Sequence, residues 1–163
     1  MNEPLATPDE ATWRAFWRRF RDAHPEYSES DPKDAFAFGD HRALADELAA
    51  LVARGVKRAT TSVRVAYDLE GAPLPEVGDL SVVLDGAGTP VCVIETIEVS
   101  ETTFGSVGAR FAAEEGEGDG SLGWWRAAHE VAFAREGAAL GYTVTDDLVV
   151  VCERFRLVWP AAA

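Results

Sequence analysis

The stretch Asp79-Leu80-Ser81-Val82-Val83-Leu84-Asp85, followed by Gly86-Ala87-Gly88-Thr89 and then Pro90-Val91-Cys92-Val93-Ile94-Glu95-Thr96-Ile97-Glu98-Val99-Ser100, decides the fold class. Two runs rich in β-branched residues flank a glycine turn, which is the signature of a β-hairpin. Two further runs, Ser62–Tyr67 and Leu148–Trp159, read as strands of the same kind, and Gly71, Pro73, Pro75 and Gly78 punctuate the chain between the first run and the hairpin. Strands and helices do not alternate regularly, so a doubly wound parallel sheet is excluded. The expectation is an α+β chain: a small, mostly antiparallel sheet or barrel with helices around it.

Upstream of this region the hydrophobic period is helical. Thr7-Pro8-Asp9-Glu10 opens a first helix with a capping residue, a first-turn proline and acids, Thr7 standing as the cap. Trp13, Phe16, Trp17 and Phe20 then recur on one face, and Arg14, Arg18, Arg19 and Arg21 occupy the other. Aromatics beside arginines can stack nucleic-acid bases, but the pattern favours a helix packed on the core. Residues 24–38 read as a connection anchored by Phe36 and Phe38, and Asp40 as the cap of a second helix carrying Leu44, Leu48, Leu51 and Val52 and stopped at Gly55. A short helix near 106–114 and a longer one over about 122–139, capped by Ser121, separate the last two strands.

With 163 residues, 47% hydrophobic and 26% charged, the chain is sized for one globular domain. The absence of a long apolar run and the polar start MNEPLATPDE predict neither a membrane span nor a signal peptide. Cys92 and Cys152 lie in apolar runs without histidines at ligand spacing, so they read as buried thiols of a reducing, cytoplasmic compartment. Twenty-eight acids against fifteen bases give a net charge of −13, a field that disfavours long duplex DNA as a partner. Small ligands and short strands remain compatible with it.

The segment with most chemical content is Gly55-Val56-Lys57-Arg58-Ala59-Thr60-Thr61-Ser62. Thirteen arginines and only two lysines, Lys33 and Lys57, make a retained lysine noticeable, because lysine can lose its proton and arginine cannot. A buried amine beside three hydroxyls can activate one of them as a nucleophile without a histidine. Spacing alone favours a helix exit bearing a solvent-facing lysine before a threonine-rich strand start.

The second candidate is Glu114-Glu115-Gly116-Glu117-Gly118-Asp119-Gly120-Ser121. Its acids match the first half of a calcium loop beginning at Glu115, but position twelve is Arg126, so calcium is excluded. Magnesium or manganese, a solvated acidic loop, and a general acid or base held in a pocket all fit the pattern. Trp124 and Trp125 follow on a helix with His129, and successive helical side chains diverge by about 100°. One ring therefore packs inward while the other can line a pocket for a planar base. Glu95 and Glu153 interrupt apolar strands. Each faces either solvent or a polar interior, where it needs a partner such as Arg64, Arg154 or Lys57.

This ordered set resembles the ASCH domain: Gly55-Val56-Lys57-Arg58-Ala59-Thr60-Thr61-Ser62 after a helix, Val77-Gly78-Asp79 opening a strand, then Val93-Ile94-Glu95-Thr96. Phe111-Ala112-Ala113-Glu114-Glu115-Gly116-Glu117-Gly118-Asp119, Trp125-Arg126 and His129 resemble one bacterial branch of the family. The similarity spans 36–159 and leaves 1–35 as an N-terminal helical extension within one domain, 1–163. It implies a PUA-like β-barrel with a cleft beside the Gly-x-Lys loop, and a family that includes RNA binders, a ribonuclease and amidohydrolases of N4-acetylcytidine. Carried over to this chain, the catalytic set is Lys57, Thr60 and Glu115. Lys57 would activate Thr60, and Glu115 would protonate the departing amine and then activate water. Substrate contacts are expected from Thr61, Ser62, Arg64, Glu95, Glu117, Trp124 and Trp125, with no metal and no cofactor. Thr60 and Ser62 stand where the wider family carries a glutamate and an arginine, a departure that bears on any anion contact there. The resulting expectation is a cytoplasmic protein that takes a nucleoside-like ligand or short RNA, as an amide hydrolase. A non-catalytic RNA-binding module and a metal-dependent ribonuclease are the alternatives.

Overall fold

The computed structural model describes residues 2–160, so the alanine tail at 161–163 lies outside the described residues. Strands β1 (Asp34–Ala37), β2 (Ala59–Val63), β3 (Leu80–Leu84), β4 (Pro90–Thr103) and β5 (Val149–Trp159) form one sheet in the order β1-β3-β4-β5-β2. The hairpin pairs as its glycine turn requires, β3 antiparallel to β4, and β4–β5 and β5–β2 are antiparallel too. The pair β1–β3 is parallel. The register of β4 against β5 shifts at Val93/Ile94 and again between Thr96 and Glu98. Such bulges bend a strand and increase its twist, and the five strands accordingly form a half-barrel.

Five helices pack on this sheet: α1 (Glu10–Ala23), α2 (Arg42–Ala53), α3 (Arg64–Glu70), α4 (Ala109–Glu115) and α5 (Leu122–Leu140). The aromatic stripe of α1 is a packing stripe. Phe16, Trp17 and Phe20 bury against Leu80, Val82, Leu84 and Val93 on the outer face of β3 and β4. Each such side chain contributes about 1.5–3 kcal/mol by leaving water. On the same outer face α4 and α5 cover β2 and β5 through Phe111, Trp125 and Phe133 against Ala59, Val63, Val150 and Cys152. On the inner face α2 lays Leu48, Ala49 and Val52 against Val83, Cys92, Ile94 and Phe155. Both thiols are free and buried, and burial pushes Cys92 up to about 12 and Cys152 to about 11.

Four local expectations are corrected. The strand placed at Ser62–Tyr67 lies earlier, at Ala59–Val63, and runs directly into α3. Buried Ala59, Thr61 and Val63 alternate there with half-buried Thr60 and Ser62, the two-residue period of a strand. The connection 24–38 contains β1, an edge strand of four residues, too short to display a period. The cap of α1 is Asp9, whose carboxylate accepts from the Thr12 N–H, instead of Thr7. The cap of α2 is His41, whose Nδ1 accepts from the Leu44 N–H at 3.3 Å, instead of Asp40.

Candidate functional site

The turn between α2 and β2 is pinned by its own backbone. The Val56 and Lys57 N–H groups both donate to the Leu51 carbonyl, at 2.9 and 3.2 Å, and the Arg58 N–H donates to the Glu114 carbonyl at 2.9 Å. That last bond docks the end of α4 on the turn. Gly116 makes the approach possible: its φ is +69°, and a Cβ there would stand 2.6 Å from the Val56 carbonyl oxygen. Glu115 and Glu117 are thereby delivered to Lys57.

The Lys57 ammonium is fully buried, and every proton it carries has an acceptor: the Ala59 carbonyl at 2.9 Å, Glu115 Oε1 at 3.2 Å and Glu117 Oε1 at 2.8 Å. Glu115 is equally enclosed. Its Oε2 accepts from Thr61 Oγ1 at 2.7 Å and from the Trp125 indole N–H, and lies 3.3 Å from His129 Nε2. Burial alone would raise this carboxyl, but the charges of Lys57 and His129 and the indole donor outweigh it and hold it down at about 2. The other ring nitrogen of His129, Nδ1, donates to the Trp125 carbonyl at 2.8 Å. Both nitrogens thus face acceptors, which favours the imidazolium against burial and moves His129 above its ordinary value. Two cations and two carboxylates, Lys57, His129, Glu115 and Glu117, compensate one another under α5. Glu115, Glu117 and His129 offer ligand atoms within 4.8 Å of one another, the spacing of a cation site, and the Lys57 ammonium supplies positive charge there.

A cavity of about 690 Å³ opens on the inner face, between the edge strands β1 and β2. Its lining combines rings (Phe36, Phe38, Tyr67, Phe155) with hydroxyls and acids (Thr60, Ser62, Ser81, Asp79, Glu153). Ser62 Oγ and the Tyr67 hydroxyl share a hydrogen bond of 2.7 Å, and Lys33 at the rim is paired with Asp79 at 2.9 Å. Glu153 accepts from the Thr96 hydroxyl at 2.6 Å, and burial, the leading influence, lifts its carboxyl above the usual range. Phe38 touches both regions, since its ring lines the cavity and its centroid lies 5.2 Å from Lys57 Nζ.

The residues expected to act together are therefore divided between two faces of the sheet. Lys57, Glu115, Glu117, Thr61 and Trp125 assemble as the buried cluster, while Thr60 and Ser62 line the cavity. The expected trio does not form a hydrogen-bonded set: Thr61 supplies the hydroxyl to Glu115, because alternation along β2 turns Thr60 to the other face. Arg64, Glu95 and Trp124 join neither group. Arg64 opens α3 and pairs with Asp68 and Glu101, and Glu95 pairs with Arg156. Trp124 is the outward-facing member of its pair and lies over Gly118. The partner of Glu153 is Thr96, a neutral hydroxyl instead of a cation. Sequence reading missed Phe38 and Tyr67 as cavity residues. Tyr67 stands on α3 instead of at a strand end, and from there it reaches back to Ser62.

A second hollow, of about 590 Å³, lies on the outer face and gathers Arg58, Arg110, Arg154 and Arg156 around Ile97, Glu98 and Glu114. Three of these arginines are paired: Arg154 with Glu114 at 2.5 Å and Glu98 at 2.8 Å, Arg110 with Glu114 at 3.1 Å, and Arg156 with Glu95. Among the described residues Arg58 has no ion pair, and no helix is long and apolar enough to cross a membrane.

The family model of the ASCH domain matches residues 34–159. Among solved structures, the ASCH domain from Lactobacillus crispatus JV V101 is 36% identical, with a TM-score of 0.85 over 91% of this chain and 94% of that one. A protein from Enterococcus faecalis V583 is 32% identical, with a TM-score of 0.80 over 89% of this chain and 86% of that one. Among curated proteins none matches. Matched over most of its length by the family model and by a solved ASCH domain that shares its half-barrel, the chain belongs to the ASCH domain family, with that family's PUA-like fold.

Proposed function

We propose that this cytoplasmic ASCH protein binds a nucleoside-like heterocycle in the inner-face cavity and hydrolyses an exocyclic amide on it, N4-acetylcytidine being the representative substrate. The observation that carries the reading is the lining of that cavity: aromatic rings for a planar base beside Thr60, Ser62 and Glu153, which serve a carbonyl and an amine. Thr60 is the nucleophile. Lys57 and Glu115 act from behind, holding the turn that presents Thr60. The other residues at the mouth, Asp79, Lys33, Glu136 and Asp34, include three acids, and the lysine is neutralised by Asp79, so an uncharged ligand is favoured over a phosphorylated one. The test is to incubate the protein with N4-acetylcytidine and follow cytidine by chromatography. Turnover that disappears in Thr60→Val supports the reading, and no turnover overturns it.

Arg58, without an ion pair among the described residues and beside the paired Arg110, Arg154 and Arg156, favours a second reading, a module that binds short RNA through its phosphates. Salt-dependent retention of a short oligoribonucleotide that is weakened by Arg58→Ala supports it.

A further inference from the structure

We propose that Glu153 is the proton-transferring group of the cavity and works directly with Thr60. The inference rests on the hydrolase reading and adds to it the base which that reading lacks.

Lys57 and Glu115 are each saturated by partners inside the outer-face cluster. The ammonium has three acceptors, and Glu115 has one donor on Oε1 and three on Oε2, so neither has free capacity toward the cavity. Thr60 and Glu153, by contrast, are direct partners across the β2–β5 pair, and both line the cavity. Directly opposed residues of an antiparallel pair project to the same face with Cβ atoms about 4.5–5.5 Å apart, within hydrogen-bond reach of a glutamate and a threonine. Thr96 engages Oε1 of Glu153, and among the described residues Oε2 has no hydrogen-bond partner. The carboxylate is thus oriented on one side and available on the other. The charged and titratable groups around the cavity with it are the Lys33–Asp79 pair, Asp34 from β1, Tyr67 from α3 and Glu136 from α5, whose carboxylate accepts from the Tyr142 hydroxyl. Burial moves Glu153 upward, toward the range in which a carboxylate is an effective base near neutrality.

The step balances without a co-reactant other than water. Thr60 Oγ attacks the amide carbonyl as Glu153 takes its proton, and the C–N bond breaks as Glu153 passes that proton to the departing amine. Water then attacks the Thr60 ester, giving its proton to Glu153. The acyl C–O bond breaks as Glu153 returns that proton to Thr60 Oγ, and acetic acid leaves, carrying water's other proton, which it then loses to solvent.

The experiment compares wild type with Glu153→Gln, which keeps an acceptor for Thr96, using N4-acetylcytidine turnover as a function of pH. It is combined with carboxyl-carbon NMR of glutamate-labelled protein, the Glu153 signal being identified by its loss in the variant. Expected are a fall in kcat of about 100-fold or more, KM within about threefold, and loss of the acid-side limb of the pH profile, with the urea midpoint unchanged. A variant retaining more than a tenth of wild-type kcat, or losing through KM alone, overturns the assignment. If wild type itself yields no cytidine, the hydrolase reading falls, and the carboxyl signal decides about Glu153 separately. A resonance that titrates above ordinary glutamates and shifts on adding cytidine keeps Glu153 as the cavity's proton-bearing contact; one indifferent to cytidine removes it.

Discussion

Thr61 Oγ1 donates to Glu115 Oε2 over 2.7 Å, joining residues 54 apart in sequence, while its neighbour Thr60 turns to a cavity on the opposite side of the sheet. Two adjacent hydroxyls thus serve different purposes. Thr61→Val removes a donor from a buried carboxylate and should cost about 1.5–3 kcal/mol in urea unfolding. Thr60→Val keeps the strand-forming shape and should change stability by less than about 1 kcal/mol while abolishing turnover. Equal stability losses in the two variants would contradict the division.

Lys57→Met leaves Glu115 and Glu117 without their buried counter-charge. Breaking a buried ion pair from one side costs about 3–5 kcal/mol, more than the pair itself contributes. The double variant Lys57→Met with Glu115→Gln should recover part of that loss, which a double-mutant cycle in urea measures.

Stability should depend on pH through the same cluster, with opposite signs for its two ends. Glu115 is held at about 2 against an ordinary 4.5, so the folded state binds its proton less readily than the unfolded chain. Its contribution is complete above 4.5 and disappears as pH falls toward 2. His129 lies above its ordinary 6.5, so its contribution is complete below 6.5 and is lost as pH rises through the raised value. The cluster therefore stabilises most between 4.5 and 6.5. Urea midpoints followed below 4.5 and above 6.5 should lose the alkaline limb in His129→Gln and the acid limb in Glu115→Gln, the latter also weakening the alkaline limb because Glu115 is what raises His129.

Gly116→Ala places a methyl against the Val56 carbonyl at a backbone angle that L-residues avoid. A non-glycine residue in such a conformation costs about 1–3 kcal/mol, and the contact must in addition push α4 away from the turn. Calorimetry should register a lowered Tm. In the Glu115→Gln background the loss should shrink, because the cluster that α4 delivers is already impaired.

The hairpin, the long last strand and the aromatic helix were legible because each repeats its period for long enough to exclude the alternative. β1 was not, since Asp34-Ala35-Phe36-Ala37 is shorter than any informative period and is held by pairing to β3, a long-range fact. The site was legible in composition more than in partnership. Lys57 stood out as one of two lysines, and Glu115 came from a resemblance, yet which threonine meets them depends on where β2 begins. Begun at Ser62, the strand leaves Thr60 and Thr61 in a connection with no assigned face; begun at Ala59, it turns them to opposite faces. Glu153 looked like an interruption in an apolar strand because its neighbour across the sheet, Thr60, is invisible in linear order.

The helix α1 lies outside the segment that the family model matches, and it covers Leu80, Val82, Leu84 and Val93, all within that segment. What the family model matches and what can stand alone in water are accordingly two different lengths of polypeptide. A fragment trimmed to residues 34–159 would carry an uncovered greasy flank across β3 and β4, and it would self-associate before its chemistry could be assayed.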